Sequence, residues 1–165
     1  MKEVVLFSDS GKIAEALFYS PFFELKLIIC EKSRLSGDLL NFSYLRSIPV
    51  YEAENNGELF QILLKNKLDI AIMCGFGIIL NKDIINHLDI YNVHPGKLPN
   101  YKGRHPTFFA TINGDKSIYF SLHKVVEEID SGEIIGQVKM DYYYWQDEND
   151  IKKFLFKAFL ILIEK

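Results

Sequence analysis

The chain predicts an α/β fold with a doubly wound, mostly parallel sheet. Short aliphatic runs alternate with segments whose apolar residues recur at helical spacing, the pattern of successive βαβ units. One run, Asp69 to Cys74 (DIAIMC), is almost wholly apolar, as a parallel strand covered on both faces should be. At 165 residues there is chain for one domain, 1–165, with a real core.

Glu3 to Phe7 reads as the first strand, ending at Ser8-Asp9-Ser10-Gly11; Ile13, Ala14, Leu17 and Phe18 then mark a helix. The Gly11 loop has one glycine where a dinucleotide fingerprint wants three. It is a plain helix start or a backbone approach to a nucleotide phosphate. Glu24 to Cys30 is a second strand. A polar loop from Arg34 leads into a helix ending at Arg46, with Leu39, Leu40, Tyr44 and Leu45 on its apolar side. Pro49 to Tyr51 is a brief third strand, Glu58 to Lys67 a helix burying Leu59, Ile62 and Leu63, and Asp69 to Cys74 the fourth strand. The loop Gly75 to Leu80 follows. Its two glycines serve either a ligand lying against the backbone or a positive φ.

Ile84 and Ile85 sit in a short helix, and Ile90 to His94 forms the fifth strand. Thr107 to Ile112 is a short helix, and Ile118 to Val125 pairs with Glu133 to Met140. Tyr142 to Trp145 is an aromatic strip, by default the edge of the core. Asp147 to Asp150 caps a last helix, Ile151 to Ile163, apolar on most sides and so buried in the domain or against a second subunit.

Composition narrows the function. A net charge of −3 gives no basic stripe for nucleic acid. Cys30 and Cys74 each lie in an apolar run and read as buried thiols in a reducing compartment. The N-terminus does not read as a signal peptide, and FLFKAFLILI is far short of the roughly 20 residues that span a bilayer. A cytoplasmic protein with no membrane partner is expected. His94, His105 and His123 lack metal-ligand spacing, so no metal is expected.

The stretch from Tyr91 to Gln137 carries the chemistry. Asn92 and His94 share one face of the fifth strand at its carboxyl end, where ligands sit in open parallel sheets. A Pro/Gly turn follows, and Asp130 lies in the turn Ile129-Asp130-Ser131-Gly132, 36 residues beyond His94. Acyl chemistry on an amine needs these three groups: an amide for the oxyanion, an imidazole to hold or move charge, and a carboxylate to orient it and take a proton.

NVHPGKLP, Gly103 and Asp130-Ser131-Gly132 together resemble the N10-formyltetrahydrofolate-dependent formyltransferases, a Rossmann-like catalytic domain. Their pattern is Asn-x-His-Pro-Ser-x-x-Pro, a Gly, then Asp-x-Gly; Gly96 stands here where Ser is usual. The run Tyr101 to Pro106, with Glu127 to Ile135, looks most like the sugar N-formyltransferases. The resemblance implies Asn92, His94 and Asp130 as catalytic residues, with Asp130 raising the pKa of His94. It implies N10-formyltetrahydrofolate as cosubstrate, held by Phe76, Gly77, Ile78, Leu80, Glu127 and Asp130. The acceptor would be a nucleotide-linked amino sugar for a surface polysaccharide such as lipopolysaccharide, its diphosphate met by Lys102, Arg104 and His105, and a homodimer is among the arrangements found. A formyltetrahydrofolate hydrolase, a glycinamide ribonucleotide formyltransferase and a non-catalytic nucleotide-sugar or folate module remain as alternatives. The single Gly11 and the lack of room for an RNA-contacting domain weigh against the ribonucleotide and tRNA acceptors.

Overall fold

The computed structural model describes residues 1–143 and 146–165, and Tyr144 and Trp145 of the expected aromatic strip lie outside them. The chain divides into two compact units, Met1–Tyr91 and Asn92–Lys165. The first holds β1 (Lys2–Phe7), α1 (Gly11–Phe18), β2 (Phe23–Glu31), α2 (Gly37–Arg46), β3 (Val50–Ala53), α3 (Asn56–Asn66), β4 (Ile70–Met73) and α4 (Lys82–Ile85). Strand β5 (Asp89–His94) leads into the second, which holds α5 (Pro106–Ile112), β6 (Ser117–Lys124), β7 (Ile134–Asp141) and α6 (Glu148–Leu162). The strands follow the order β3-β2-β1-β4-β5-β6-β7.

In the first unit β1 pairs in parallel with β2 and β4, and β2 with β3. Val4 to Phe7 are fully buried, which explains their unbroken apolar run. The expected elements are present, with ends moved by capping. Helix α3 begins at Asn56, two residues before the apolar pattern suggests. Asn55 Oδ1 accepts the Glu58 N–H at 3.1 Å, and Glu58 Oε2 accepts the Glu54 N–H at 2.8 Å. Both cysteines are buried and unbridged.

In the second unit β6 and β7 are antiparallel, from Ser117 opposite Asp141 to His123 opposite Ile134. Their alternation differs: β6 buries Ile118, Phe120, Ser121, Leu122 and His123, whereas β7, last in the strand order, alternates exposed with half-buried positions. Helix α6 buries Ala158, Phe159 and Leu162 and exposes Leu160 and Ile161, so it is covered on one side. Among the described residues no helix is long and apolar enough to cross a membrane.

Two substitutions probe this account in urea unfolding. Phe120→Ala empties a fully buried site and is expected to cost about 3–5 kcal/mol. Asn55→Ala removes a surface cap and is expected to cost about 1 kcal/mol.

Candidate active site

Asn92 and His94 end β5, facing one way by period-two alternation, and both are buried, as is Val93 between them. After His94 the chain turns through Pro95 and Gly96, and the turn is braced from β6 and β7. Ser121 Oγ donates to the Gly96 carbonyl at 2.6 Å and accepts from the Leu98 N–H at 3.3 Å. Gln137 Nε2 reaches both Ser121 Oγ and the Leu98 carbonyl at 2.9 Å.

Asp130 lies in the loop between β6 and β7 with a left-handed backbone, φ 49°. Its Oδ2 accepts the Gly103 N–H at 2.8 Å and lies 3.4 Å from His94 Nδ1. Its Oδ1 lies 3.3 Å from His123 Nε2. The carboxylate therefore stands between two imidazoles. Asn92 Nδ2 meets His123 Nε2 at 3.2 Å, which adds the amide to the same cluster.

The second nitrogen of each ring faces a backbone carbonyl, which can only accept. His94 Nε2 donates to the Tyr101 carbonyl at 2.7 Å, and His123 Nδ1 donates to the Lys124 carbonyl at 3.0 Å. In a neutral His94 ring the nitrogen turned toward Asp130 is then a lone pair, and His123 Nε2 lies within reach of both Asp130 and the Asn92 amide. Separations of 3.3–3.4 Å exceed the about 2.7–2.9 Å of a charge-assisted bond. A proton added at His94 Nδ1 would create a donor aimed at Asp130.

Gly96 makes this geometry accessible. A Cβ at that position would lie 2.6 Å from the Tyr101 carbonyl oxygen and 2.7 Å from His94 Nε2, the two atoms that bond to each other. The departure from Ser at position 96 thus bears directly on how His94 is held.

Asp130 pulls the pKa of His94 upward, as expected, but the net shift is downward. Burial lowers it and prevails over the opposing attraction of Asp130 and the Tyr101 hydrogen bond. For Asp130 burial acts upward, but the contact with His123, the Gly103 N–H and the charge of the imidazoles bring it net below the ordinary range.

The other expected site residues are placed as follows. Phe76 packs 5.3 Å from the Phe7 ring between centroids, Gly77 donates its N–H to Glu31 Oε1 at 2.6 Å, Ile78 is half-buried, and Leu80 is buried. Positive φ falls on Gly75, at 71°, and Gly77 serves the Glu31 contact. Glu127, Arg104 and His105 are exposed, His105 with φ 58° at the start of α5. Lys102 Nζ meets Ser131 Oγ at 2.6 Å and Glu128 Oε1 at 3.4 Å. Sequence reasoning missed the shared roles of His123, Ser121 and Gln137. The signal was the alternation on β6, which puts Ser121 and His123 on one face and names no partner for either. Among the described residues no cluster could hold a metal ion.

Fold and site together define an α/β domain with an amide, two imidazoles and a carboxylate gathered at one strand end. The chain belongs to the formyl transferase family, whose model matches residues 29–158. Methionyl-tRNA formyltransferase of Mycoplasma genitalium is 29% identical over 150 residues, 83% of this chain and 48% of that protein. The bifunctional polymyxin resistance protein ArnA of Wigglesworthia glossinidia brevipalpis is 34% identical over 168 residues, 95% of this chain and 25% of that protein. The chain thus spans about half the length, or less, of these curated relatives. Among solved structures, phosphoribosylglycinamide formyltransferase from Bacillus halodurans matches with TM-score 0.82 at 23% identity, over 99% of this chain and 96% of that one. At that identity the likeness is one of fold, and it agrees with the doubly wound, mostly parallel sheet expected from the sequence.

The two lowered pKa values set a sign for stability. A His94 ring held below its ordinary 6.5 binds protons less readily folded than unfolded, so its contribution is present above that value and lost on acidification. Asp130, below its ordinary 3.8, adds a second loss in more acid solution. The urea midpoint is expected to fall as pH drops below 6.5, and His94→Gln should remove the first part of that slope and weaken the second without abolishing it. A wild-type midpoint flat across the mildly acidic range would contradict this.

Proposed function

We propose that the protein transfers a formyl group from N10-formyltetrahydrofolate to the amino group of a nucleotide-linked amino deoxysugar. The observation that carries the transfer is the convergence of Asn92, His94 and Asp130 on one cluster within a chain of this family. The sugar acceptor is supported by the loop sequence from Tyr101 to Pro106 and by the likeness, along 95% of the chain, to the polymyxin resistance protein.

The folate cosubstrate supplies the formyl carbon, and the chain's residues manage charge and protons around it. The amide nitrogen of Asn92 carries two N–H groups. One rests on His123, and the second is the donor proposed for the negative charge that develops on the formyl oxygen. His94 is neutral at rest by virtue of its burial and takes a proton as that charge appears. Nε2 stays on the Tyr101 carbonyl, so the proton goes to Nδ1, facing Asp130. Asp130, held in its ionised form, accepts the proton that the attacking amine must lose and passes it to His94 Nδ1. The same proton goes to the folate nitrogen as its bond to the formyl carbon breaks and the new carbon–nitrogen bond is kept. Because the amine is itself a nucleophile, no covalent bond to the protein is required.

In this reading residues 1–165 act as one catalytic domain. The backbone from Phe76 to Leu80, with Glu127 and Asp130, contacts the folate; Arg104 and His105 meet the acceptor's diphosphate. Lys102 joins them only by leaving Ser131 and Glu128.

Incubation with the folate and a panel of amines, read by mass spectrometry, tests the proposal. A mass gain of one formyl group on a nucleotide-linked amino sugar is expected. Formate release without an amine would favour a hydrolase, and folate binding without turnover a non-catalytic module. At saturating folate, Asn92→Ala and Asp130→Ala are each expected to lower kcat by about 10²–10³-fold. Near-wild-type turnover of either would remove that residue's assignment.

A further inference from the structure

A neutral imidazole has one N–H, and the His94 ring has two acceptors within reach for it. The Tyr101 carbonyl stands 2.7 Å from Nε2, and the Asp130 carboxylate 3.4 Å from Nδ1. Whichever acceptor takes the N–H leaves the opposite nitrogen as the base. A charged carboxylate is the stronger acceptor, so the closer approach of the carbonyl has to be held by the fold. Were that carbonyl to withdraw, the N–H would move to Nδ1 and onto Asp130. The lone pair that faces Asp130 would then be lost.

The side chain of Tyr101 supplies an anchor for its own carbonyl. Its phenol donates to Asp115 Oδ2 at 2.8 Å and accepts from Asn113 Nδ2 at 3.2 Å. Both partners come from the turn that ends α5. There the Asn113 N–H donates to the Phe109 carbonyl at 3.1 Å and the Asp115 N–H to the Ala110 carbonyl at 3.0 Å, with Gly114 between them at φ 79°. On its other side Tyr101 is tied through the backbone. The Lys97 carbonyl accepts the Asn100 and Tyr101 N–H groups at 2.9 and 3.0 Å, and Ser121 and Gln137 hold Leu98. The segment from Lys97 to Tyr101 is therefore tethered at both ends, with the carbonyl that meets His94 beside the ring tether. All of these residues lie in the second unit.

We propose that Tyr101 and Asp115 are positioning residues: the bond from phenol to carboxylate holds the Tyr101 carbonyl on His94 Nε2, fixes the ring as its Nε2–H tautomer and so keeps Nδ1 open for the proton of the reaction. The use of that proton rests on the formyl-transfer reading; the tautomer does not. Neither side chain touches the reacting atoms. Tyr101 is half-buried and Asp115 exposed, so the bond contributes no more than one solvent-accessible hydrogen bond, and its effect is a bias on geometry.

The test reads the imidazole nitrogens of His94 by NMR in the whole isotope-labelled chain, at a pH well above 6.5, where the ring is neutral. Its signals are identified by their loss in His94→Gln. Wild type is expected to show the Nε2–H tautomer, and Tyr101→Phe and Asp115→Ala each to gain a population of the Nδ1–H form. Asp115→Asn keeps an acceptor for the phenol and is expected to stay with wild type. A wild-type ring in the Nδ1–H form overturns the proposal, as does either removal variant that keeps the wild-type tautomer. In a second arm, kcat of the two removal variants is expected to fall between about twofold and tenfold, the scale of one hydrogen bond, with KM for the amine unmoved and Asp115→Asn restoring the rate. A shifted tautomer with kcat unchanged overturns the catalytic half. Failure of wild type to formylate any amine would sink the formyl-transfer reading and leave the tautomer result standing.

Discussion

The Asp130 carboxylate is the constraint on which the second unit turns. It is largely buried, with 11% of its side chain exposed, and stands between two imidazoles whose other nitrogens are committed to carbonyls. A buried carboxylate needs donors. In the resting arrangement its firm one is the Gly103 N–H. The turn after β5 must therefore bring two backbone groups to one place: the Tyr101 carbonyl for His94 and the Gly103 N–H for Asp130. Ser121 and Gln137 hold that turn from the neighbouring strands, and Gly96 leaves room for His94 to lie against Tyr101.

Competition between burial and charge decides what the cluster does at neutral pH. Asp130 favours a charged His94, yet removing the ring from water costs more than the carboxylate returns, and the ring is neutral at rest. Asp130 meets the same burial and gains enough from its contacts to stay ionised. One group is thus poised to gain a proton and the other already lacks one. Acyl transfer from one nitrogen to another calls for that pairing, since one nitrogen loses a proton and the other must regain it. Had Asp130 won the competition at His94, the ring would rest as a cation and the proton would be stored before any charge developed.

The sequence made the fold legible because its strongest signals are periodic. The buried run in β1 and the two-residue alternation in β6 each follow from one repeating geometry. It also located Asn92, His94 and Asp130, since strand ends and glycine turns are local features. What it could not supply was pairing across distance. Alternation placed Ser121 and His123 on one face of β6, but His123 finds Asp130 and Ser121 finds Gly96 only once the chain is folded. The net direction of the His94 pKa was hidden for a related reason: the upward pull of Asp130 can be read from a neighbour's charge, whereas the larger effect of burial cannot. Helix α3 starts early because a cap at Asn55 is a hydrogen bond, which hydropathy does not register.

Glycine was the other place where local reading stopped short. In sequence a glycine beside a strand end marks space, and space at the carboxyl end of a parallel strand invites a ligand. Gly11 and Gly77 show that the invitation can be answered by the chain's own carboxylates, Asp38 and Glu31, on the N–H groups that a phosphate would seek. Asp130 on Gly103 is the same device in the other unit. The consequences differ with what lies beyond the carboxylate. Beside Asp130 stand the rings of His94 and His123. Asp38 lies instead close enough to Asp9 to add to the rise of its carboxyl pKa. One interaction, a carboxylate accepting a backbone N–H, thus recurs at Gly11, Gly77 and Gly103, and at Gly103 the same carboxylate also faces two imidazole rings.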